Sequence, residues 1–207
     1  MNRTTTLPTP NFLDNAMDTI TAALAGFAWA GLNRTAILEA ENLYQSGMRH
    51  HSRGNYAEAV QAFTRCFKLL DKRAGSKVLY ALGRSQFELA RQKQDEMSLV
   101  GMRIMIEEAV FCFQQAARLS KDHIATRVAA KDARLFLAER EQAFADAERK
   151  VSEMDGKIAE VMLNGHGAEA SIARHDIDEA RFSLRHFGLG PARASMSRAA
   201  AQIRHFA

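Results

Sequence analysis

The chain has 207 residues, of which 47% are hydrophobic and 25% charged, and its formal net charge is +4. This composition is ordinary for a soluble globular protein that is large enough to bury a core. The two lone cysteines, Cys66 and Cys112, form neither a disulfide framework nor a Cys-based zinc motif, which favours buried thiols in a reducing compartment. The prolines stand near the ends and strong helix formers dominate between them, so we predict an all-α fold.

The N-terminal region, residues 1–34, contains an apolar segment whose hydrophobic residues recur at spacings of three and four. This spacing predicts an amphipathic helix over 11–31 that docks on the body of the protein. A signal peptide is an alternative, but Asp14 and Asp18 fall in or beside the apolar run. The uncharged part is too short to span a bilayer, which leaves a membrane-surface anchor as a third interpretation. The stripe consists of Leu13, Met17, Ile20, Leu24 and Phe27.

The next segment has the pattern of a helical hairpin, with helices predicted over 36–52 and 56–71. Small residues, Gly47 and Ala59, stand where the two helices must approach closely. Gly54 stands where the chain must reverse, and Tyr56 and Phe63 supply large apolar side chains. This pattern resembles the tetratricopeptide repeat (TPR), a family of helical hairpins of about 34 residues that stack into a superhelix.

A second, longer hairpin follows, so that residues 35–121 are predicted to form two TPR-like units. Leu79 and Gly83 repeat the offsets of Leu43 and Gly47 at 36 positions further along the chain. In the second helix, Phe113 repeats Phe63 at a displacement of 50. The extra residues, near 92–106, are expected either to lengthen both helices or to form an apolar lobe at the hairpin tip.

The C-terminal region, 122–207, is predicted to contain one long helix over 122–164 and a final capping helix over 192–205, after a break at 188–191. The long helix has a heptad stripe of apolar residues, interrupted by Arg140. Such a stripe either packs on helices of the same chain or forms a parallel homodimer seam through 130–161. The stripe residues are Ala130, Ala133, Leu137, Phe144, Ala147, Val151, Met154, Ile158 and Val161.

The TPR resemblance implies a concave groove, lined by the first helix of each hairpin, that holds a segment of a partner protein. The implied lining is aromatic and basic and lacks the Lys-and-Asn pairing that clamps a C-terminal carboxylate in some TPR proteins. It therefore suits an extended or helical segment with some acidic character. Alternatively, flanking helices fill the groove and make its tyrosines core residues. The implied lining residues are Glu41, Tyr44, Met48, His51, Lys77, Tyr80, Arg84 and Phe87.

The end of the chain is basic, with five arginines and no acidic residue after Glu179. Such an end either binds an anionic partner, nucleic acid or lipid surface, or pairs with the chain's own acid-rich region 121–180. Binding to nucleic acid is not favoured, because apolar side chains alternate with the arginines as in a packed helix. The arginines are Arg181, Arg185, Arg193, Arg198 and Arg204.

No motif indicates an enzyme, a cofactor or a metal site. The polar group of His166, His175, Asp176 and Asp178 is typical of a solvated loop and helix start. The sequence therefore predicts a cytoplasmic adaptor of TPR type that binds another protein. A chaperone or escort for a secreted or membrane-bound client is the alternative, and binding of an anionic partner by the basic end is a lesser one.

Overall fold

The computed structural model describes residues 34–70, 75–120 and 124–206. Within these ranges it contains seven α-helices and no β-strand, which confirms the predicted all-α fold. The segment predicted as an N-terminal helix, 11–31, lies outside the described residues, as do Asp71 and Asp122. None of the described helices combines the length and apolar character needed to cross a bilayer. The helices are α1 Arg34–Ser52, α2 Tyr56–Leu70, α3 Ser76–Gln92, α4 Leu99–Leu119, α5 Ile124–Leu163, α6 Gly167–His186 and α7 Leu189–Ile203.

The first hairpin, α1 and α2, is held by a close helix approach and a tight turn. A Cβ atom on Gly47 would lie 2.6 Å from the ring of Phe63, so only glycine lets α2 come this near. Gly54 has a φ of +77°, which allows its amide to bond the carbonyl oxygen of His51 at 3.0 Å as α1 ends. The turn and the packing seam thus lie at the residues that the sequence indicated.

The second hairpin, α3 and α4, repeats this approach and uses the extra residues to lengthen its second helix. A Cβ atom on Gly83 would lie 3.1 Å from the ring of Phe113 and 2.9 Å from the carbonyl oxygen of Ala109. The helix α4 has 21 residues, whereas α2 has 15. Its start is capped by Ser98, whose hydroxyl accepts a hydrogen bond from the amide of Gly101 at 3.3 Å. The extra residues near 92–106 were expected either to lengthen both helices or to form an apolar lobe. The structure shows a long second helix, α4, whereas the first helix, α3, has only 17 residues.

The long helix α5 connects two hydrophobic cores. Its 40 residues span about 60 Å. The first half packs through Ala130 and Ala133 on α3 and α4, and the second half packs through Phe144, Val151 and Ile158 on α6 and α7. The heptad stripe is therefore buried within the chain. A homodimer through 130–161, the alternative named above, would have to displace these helices.

The polar residue in this stripe has a structural role. The guanidinium of Arg140 donates to the carbonyl oxygen of Gln94 at 3.0 Å and to the carboxylate of Asp95 at 3.1 Å. These bonds tie α5 to the turn between α3 and α4. Arg140 interrupts the apolar stripe at the point where α5 passes from one core to the other.

The last two helices, α6 and α7, form a third helix pair that closes the end of the molecule. The predicted break at 188–191 is shorter than expected, because α7 already begins at Leu189. Pro191 is accommodated in the first helical turn, where a backbone amide has no helical partner to lose. The amide of Gly190 donates to the carbonyl oxygen of Asp95 at 2.8 Å and joins this pair to the α3–α4 turn.

Candidate functional site

An open trough lies where the start of α2, the C-terminal end of α3 and the first half of α5 meet. His51 of α1 meets Ser85 of α3 at 2.9 Å, and Phe87 of α3 packs edge-on against Phe136 of α5 with ring centroids 5.7 Å apart. Near the C-terminal end of α3 the helices leave a cavity of about 470 Å³, which we call the trough. It is lined by Tyr56, Glu88, Arg91, Gln92, Gln94, Phe136 and Glu139.

Two of the groove residues implied by the TPR resemblance belong to the hydrophobic core. Tyr44 is 8% exposed and packs on Phe63, with ring centroids 5.7 Å apart. Phe87 is also 8% exposed, because Phe136 and the guanidinium of Arg91 cover its ring. This burial corrects the expectation that both side chains face a partner. For Tyr44, burial is the outcome that the core alternative expects, and its cluster includes Val78 and Leu79 of α3.

The other implied groove residues are half-buried, and none of them lines the trough. The ring of Tyr80 packs against the core residue Phe113, with ring centroids 5.7 Å apart. His51 contacts the trough residue Tyr56, with ring centroids 5.2 Å apart. The half-buried set consists of Glu41, Met48, His51, Lys77, Tyr80 and Arg84.

His51 is held in its neutral form at the junction of α1 and α3. The hydroxyl of Ser85 donates to the carbonyl oxygen of Ala81 at 2.9 Å, so its oxygen is free to accept from Nδ1 of His51. This arrangement assigns the ring proton to Nδ1. Burial, together with the charge of Arg84, lowers the pKa of His51 from 6.5 to about 4.

The lowered pKa of His51 predicts acid sensitivity of the fold. Because the unfolded chain binds the proton more tightly, the contribution of His51 to stability is present above pH 6.5 and is lost as the pH falls towards 4. Urea unfolding of His51→Gln is expected to show a weaker fall in stability between pH 7 and pH 5 than the wild type. His175→Gln, at an exposed site on α6, is the control. Equal pH dependence in wild type and His51→Gln would contradict this assignment.

Four buried polar side-chain atoms have no hydrogen-bond partner among the described residues. They include Nε of Arg84 and Oε1 of Gln86, whose amide nitrogen donates to Glu108 at 3.1 Å. An unsatisfied buried donor carries a desolvation cost of about 1–3 kcal/mol.

The arginines of the basic end are mostly engaged within the chain. Arg181 bonds Asp155 at 2.7 Å and Asp178 at 3.0 Å. Arg198 bonds Asp176 at 2.9 Å and also pairs with Glu179. A third arginine, Arg193, lies 3.9 Å from Asp95, whereas Arg185 and Arg204 are exposed. Pairing with the acid-rich region 121–180 thus describes two of the five arginines, Arg181 and Arg198, whereas the carboxylate near Arg193 belongs to the turn between α3 and α4.

The histidines and cysteines of the described ranges do not assemble a metal centre, and both cysteines are buried core residues. No group of three or more His, Cys, Asp or Glu side chains in these ranges could hold a metal ion. His166, one of the polar residues considered above, packs its ring against that of Phe206, with ring centroids 4.4 Å apart. Burial raises the pKa values of Cys66 and Cys112 to about 11, and the Cys66 thiol donates to the carbonyl oxygen of Ala40 at 3.3 Å. Both thiols are therefore protonated at neutral pH and act as core side chains.

Most trough residues were not singled out from the sequence. Arg91 could have been found, because it lies one helical turn after Phe87 and so shares a face with it. No local sequence pattern indicated Phe136 or Glu139, since both residues reach the trough only through the packing of α5 on α3 and α4. Comparisons with protein-family models, curated proteins and solved structures found no match to this chain.

Proposed function

We propose that the chain is a non-catalytic, TPR-type scaffold that binds a segment of another protein in the trough. The observation that carries this proposal is the open cavity of about 470 Å³ between the start of α2, the C-terminal end of α3 and the first half of α5. Its volume lies in the range that binding clefts occupy. Aromatic rings, Tyr56 and Phe136, stand beside Arg91 and two glutamine side chains, and such residues anchor segments at protein interfaces.

The two hairpins support the TPR part of the proposal. In both, a glycine on the first helix receives a phenylalanine ring of the second, Phe63 against Gly47 and Phe113 against Gly83. The same contact between a glycine and a phenylalanine ring thus occurs twice, although the second hairpin has a longer second helix. Repeated packing of this kind makes stacked hairpins with one shared binding face.

Two further observations favour a protein-binding adaptor over an escort for an apolar client and over the binding of an anionic partner by the basic end. An escort for an apolar client would be expected to expose flexible methionines. Here Met102 is fully buried, Met196 is buried, and Met162 is the one exposed methionine of the described ranges. Ion pairs occupy Arg181 and Arg198, which leaves few free positive charges for an anionic partner.

We also infer a reducing, cytoplasmic location. Cys66 and Cys112 are both free and buried. Buried free thiols of this type persist where disulfide formation is disfavoured.

The test is affinity capture from native lysate with a trough variant, Tyr56→Ala/Arg91→Glu. We expect the variant to retain less than one tenth of the partner that the wild type captures, because it removes an aromatic anchor and reverses a charge in the trough. The matched control, Gln61→Ala/Arg65→Glu, makes the same kinds of change at exposed sites on α2 and should capture as the wild type does. Equal capture by both variants, with native helicity, would reject the trough as the site.

A further inference from the structure

We propose that the groove between α4 and α5 is a second interaction surface, which binds an acidic amphipathic helix of a partner protein. The α4–α5 groove is separate from the trough, because the two share none of their described lining residues. The inference goes beyond the proposed function and holds whether or not the trough is occupied. It rests on an apolar cavity, an exposed phenylalanine and four basic side chains that form no ion pair within the described ranges.

The α4–α5 groove contains a cavity of about 310 Å³ with an apolar floor. Ile106 and Val110 of α4 are buried there, and the half-buried Leu137 of α5 lies opposite them. Phe111 also lines the cavity, and it is 56% exposed. The volume lies at the lower end of the range that binding clefts occupy. The cavity therefore suits a few apolar side chains from one face of a partner helix.

The α5 side of the groove carries a basic stripe. Arg127, Lys131 and Arg134 recur at spacings of four and three, which places them on one face of the helix. All three side chains are exposed, and none of them forms an ion pair with a described residue. The stripe thus places three positive charges along about 10 Å of α5 that the described part of the chain does not neutralise.

A fourth basic residue, Arg118, lies on the α4 side of the groove. The ion pair between Arg103 and Glu141, at 2.7 Å, sets the register of α4 against α5, which run in opposite directions. Fifteen residues further along α4, Arg118 is therefore level with the residue that precedes Arg127. Arg118 is exposed, and it too has no ion pair in the ranges that the structure describes. Basic side chains thus border the groove on both sides.

This excess of positive charge identifies the occupant as acidic. Among the described residues that line the cavity, Glu107 is the one acid, against the four basic side chains around the groove. A second copy of this chain would bring the same positive charges to the contact, and like charges repel. A partner helix with acidic residues at spacings of four and three would instead face the basic stripe, while its apolar residues enter the cavity.

The shape of the groove favours a helix over the other anionic partners. A lipid surface contacts apolar side chains that protrude, whereas Ile106 and Val110 lie buried at the floor of the groove. Single-stranded nucleic acid stacks successive bases on several aromatic rings, and Phe111 is the one aromatic residue among the described lining residues. An amphipathic helix satisfies both the apolar floor and the basic rims.

The test is the fluorescence anisotropy of a labelled helical peptide of about 18 residues mixed with the full-length chain. The peptide has leucine along one face and glutamate on both flanks, and a second peptide has lysine in place of every glutamate. We expect the glutamate peptide to bind about ten times more tightly or better, with an affinity that falls as salt is raised. Equal affinity of the two peptides would overturn the inference.

Variants of the chain locate the binding. Arg127→Glu/Arg134→Glu should weaken binding of the glutamate peptide about tenfold or more, because it reverses two charges of the basic stripe. The control, Lys150→Glu/Lys157→Glu, changes the net charge equally at the same seven-residue spacing on exposed sites of α5, and should bind as the wild type does. An equal loss in both variants would show binding by net charge alone and would reject the groove.

Phe111→Ala separates the apolar contact from the charges. It leaves every basic side chain in place and should weaken binding of the glutamate peptide about threefold or more, because it removes the exposed ring at the cavity. Unchanged affinity in Phe111→Ala would contradict insertion of apolar side chains into the cavity.

Phosphatidylserine vesicles and an oligothymidine strand test the other anionic partners. If either binds the wild type more tightly than the glutamate peptide does, and loses binding in Arg127→Glu/Arg134→Glu, the groove belongs to that partner and the inference fails. The trough variant, Tyr56→Ala/Arg91→Glu, should bind the glutamate peptide as the wild type does. The proposed function and this inference can therefore fail independently.

Discussion

Replacing Phe113 with alanine is expected to lower the free energy of unfolding by about 3–5 kcal/mol. The ring is completely buried, packs against Tyr80 and fills the space left by Gly83. Its removal leaves a cavity between α3 and α4 that the surrounding helices can close only in part. Since Tyr80 loses its support, the face formed by α1 and α3 should also loosen.

The control for Phe113 lies two residues away on the same helix. Phe111 is 56% exposed, so Phe111→Ala removes the same ring without opening a core cavity. Urea unfolding should give a change below about 1 kcal/mol for this variant. A similar loss of stability in Phe111→Ala and Phe113→Ala would show that the seam between Gly83 and Phe113 does not organise the second hairpin.

The second large effect is expected at Gly188, where the backbone itself excludes a side chain. Gly188 has a φ of +105° and a ψ of −172°, a region that is essentially restricted to glycine. A Cβ atom there would lie 2.7 Å from the carbonyl oxygen of Met97 and 2.9 Å from that of Asp95. Because both neighbours are backbone atoms, Gly188→Ala should destabilise the fold by about 2–4 kcal/mol.

Gly156 provides a control of opposite sign for Gly188. It lies exposed within α5, and a Cβ atom there would meet nothing within 4 Å. Gly156→Ala should therefore raise the free energy of unfolding by about 0.5–1 kcal/mol, because alanine is the better helix former. Thermal unfolding of both variants measures the difference. If Gly188→Ala were as stable as the wild type, the junction between the α6–α7 pair and the turn at Asp95 would not be as described.

The sequence predicted those features that depend on neighbouring residues. Gly54 marked the first turn, Gly47 and Phe63 marked the first seam, and the heptad stripe marked the inward side of α5. Each of these signals lies within one helix or one hairpin. Local helix propensity and apolar spacing were therefore sufficient to predict them.

Features that depend on packing between distant elements were not predictable in the same way. The TPR resemblance implied that Phe87 lines the groove, but α5 brings Phe136 over its ring and makes Phe87 a core residue. Glu139 also lies on α5, so its position in the trough lining depends on the same packing of α5. The pairing of Arg198 with Asp176 likewise needs the fold of α7 against α6, since 22 residues separate the two.

The central claim, that the trough binds a protein segment, is tested most directly by site-specific photo-crosslinking in living cells. A photoreactive side chain at Gln92, in the trough, should crosslink one defined partner. The same group at Gln61, exposed on α2 away from the trough, should give no crosslink to that protein. Crosslinking of the same partner from both positions, or from Gln61 alone, would contradict the account.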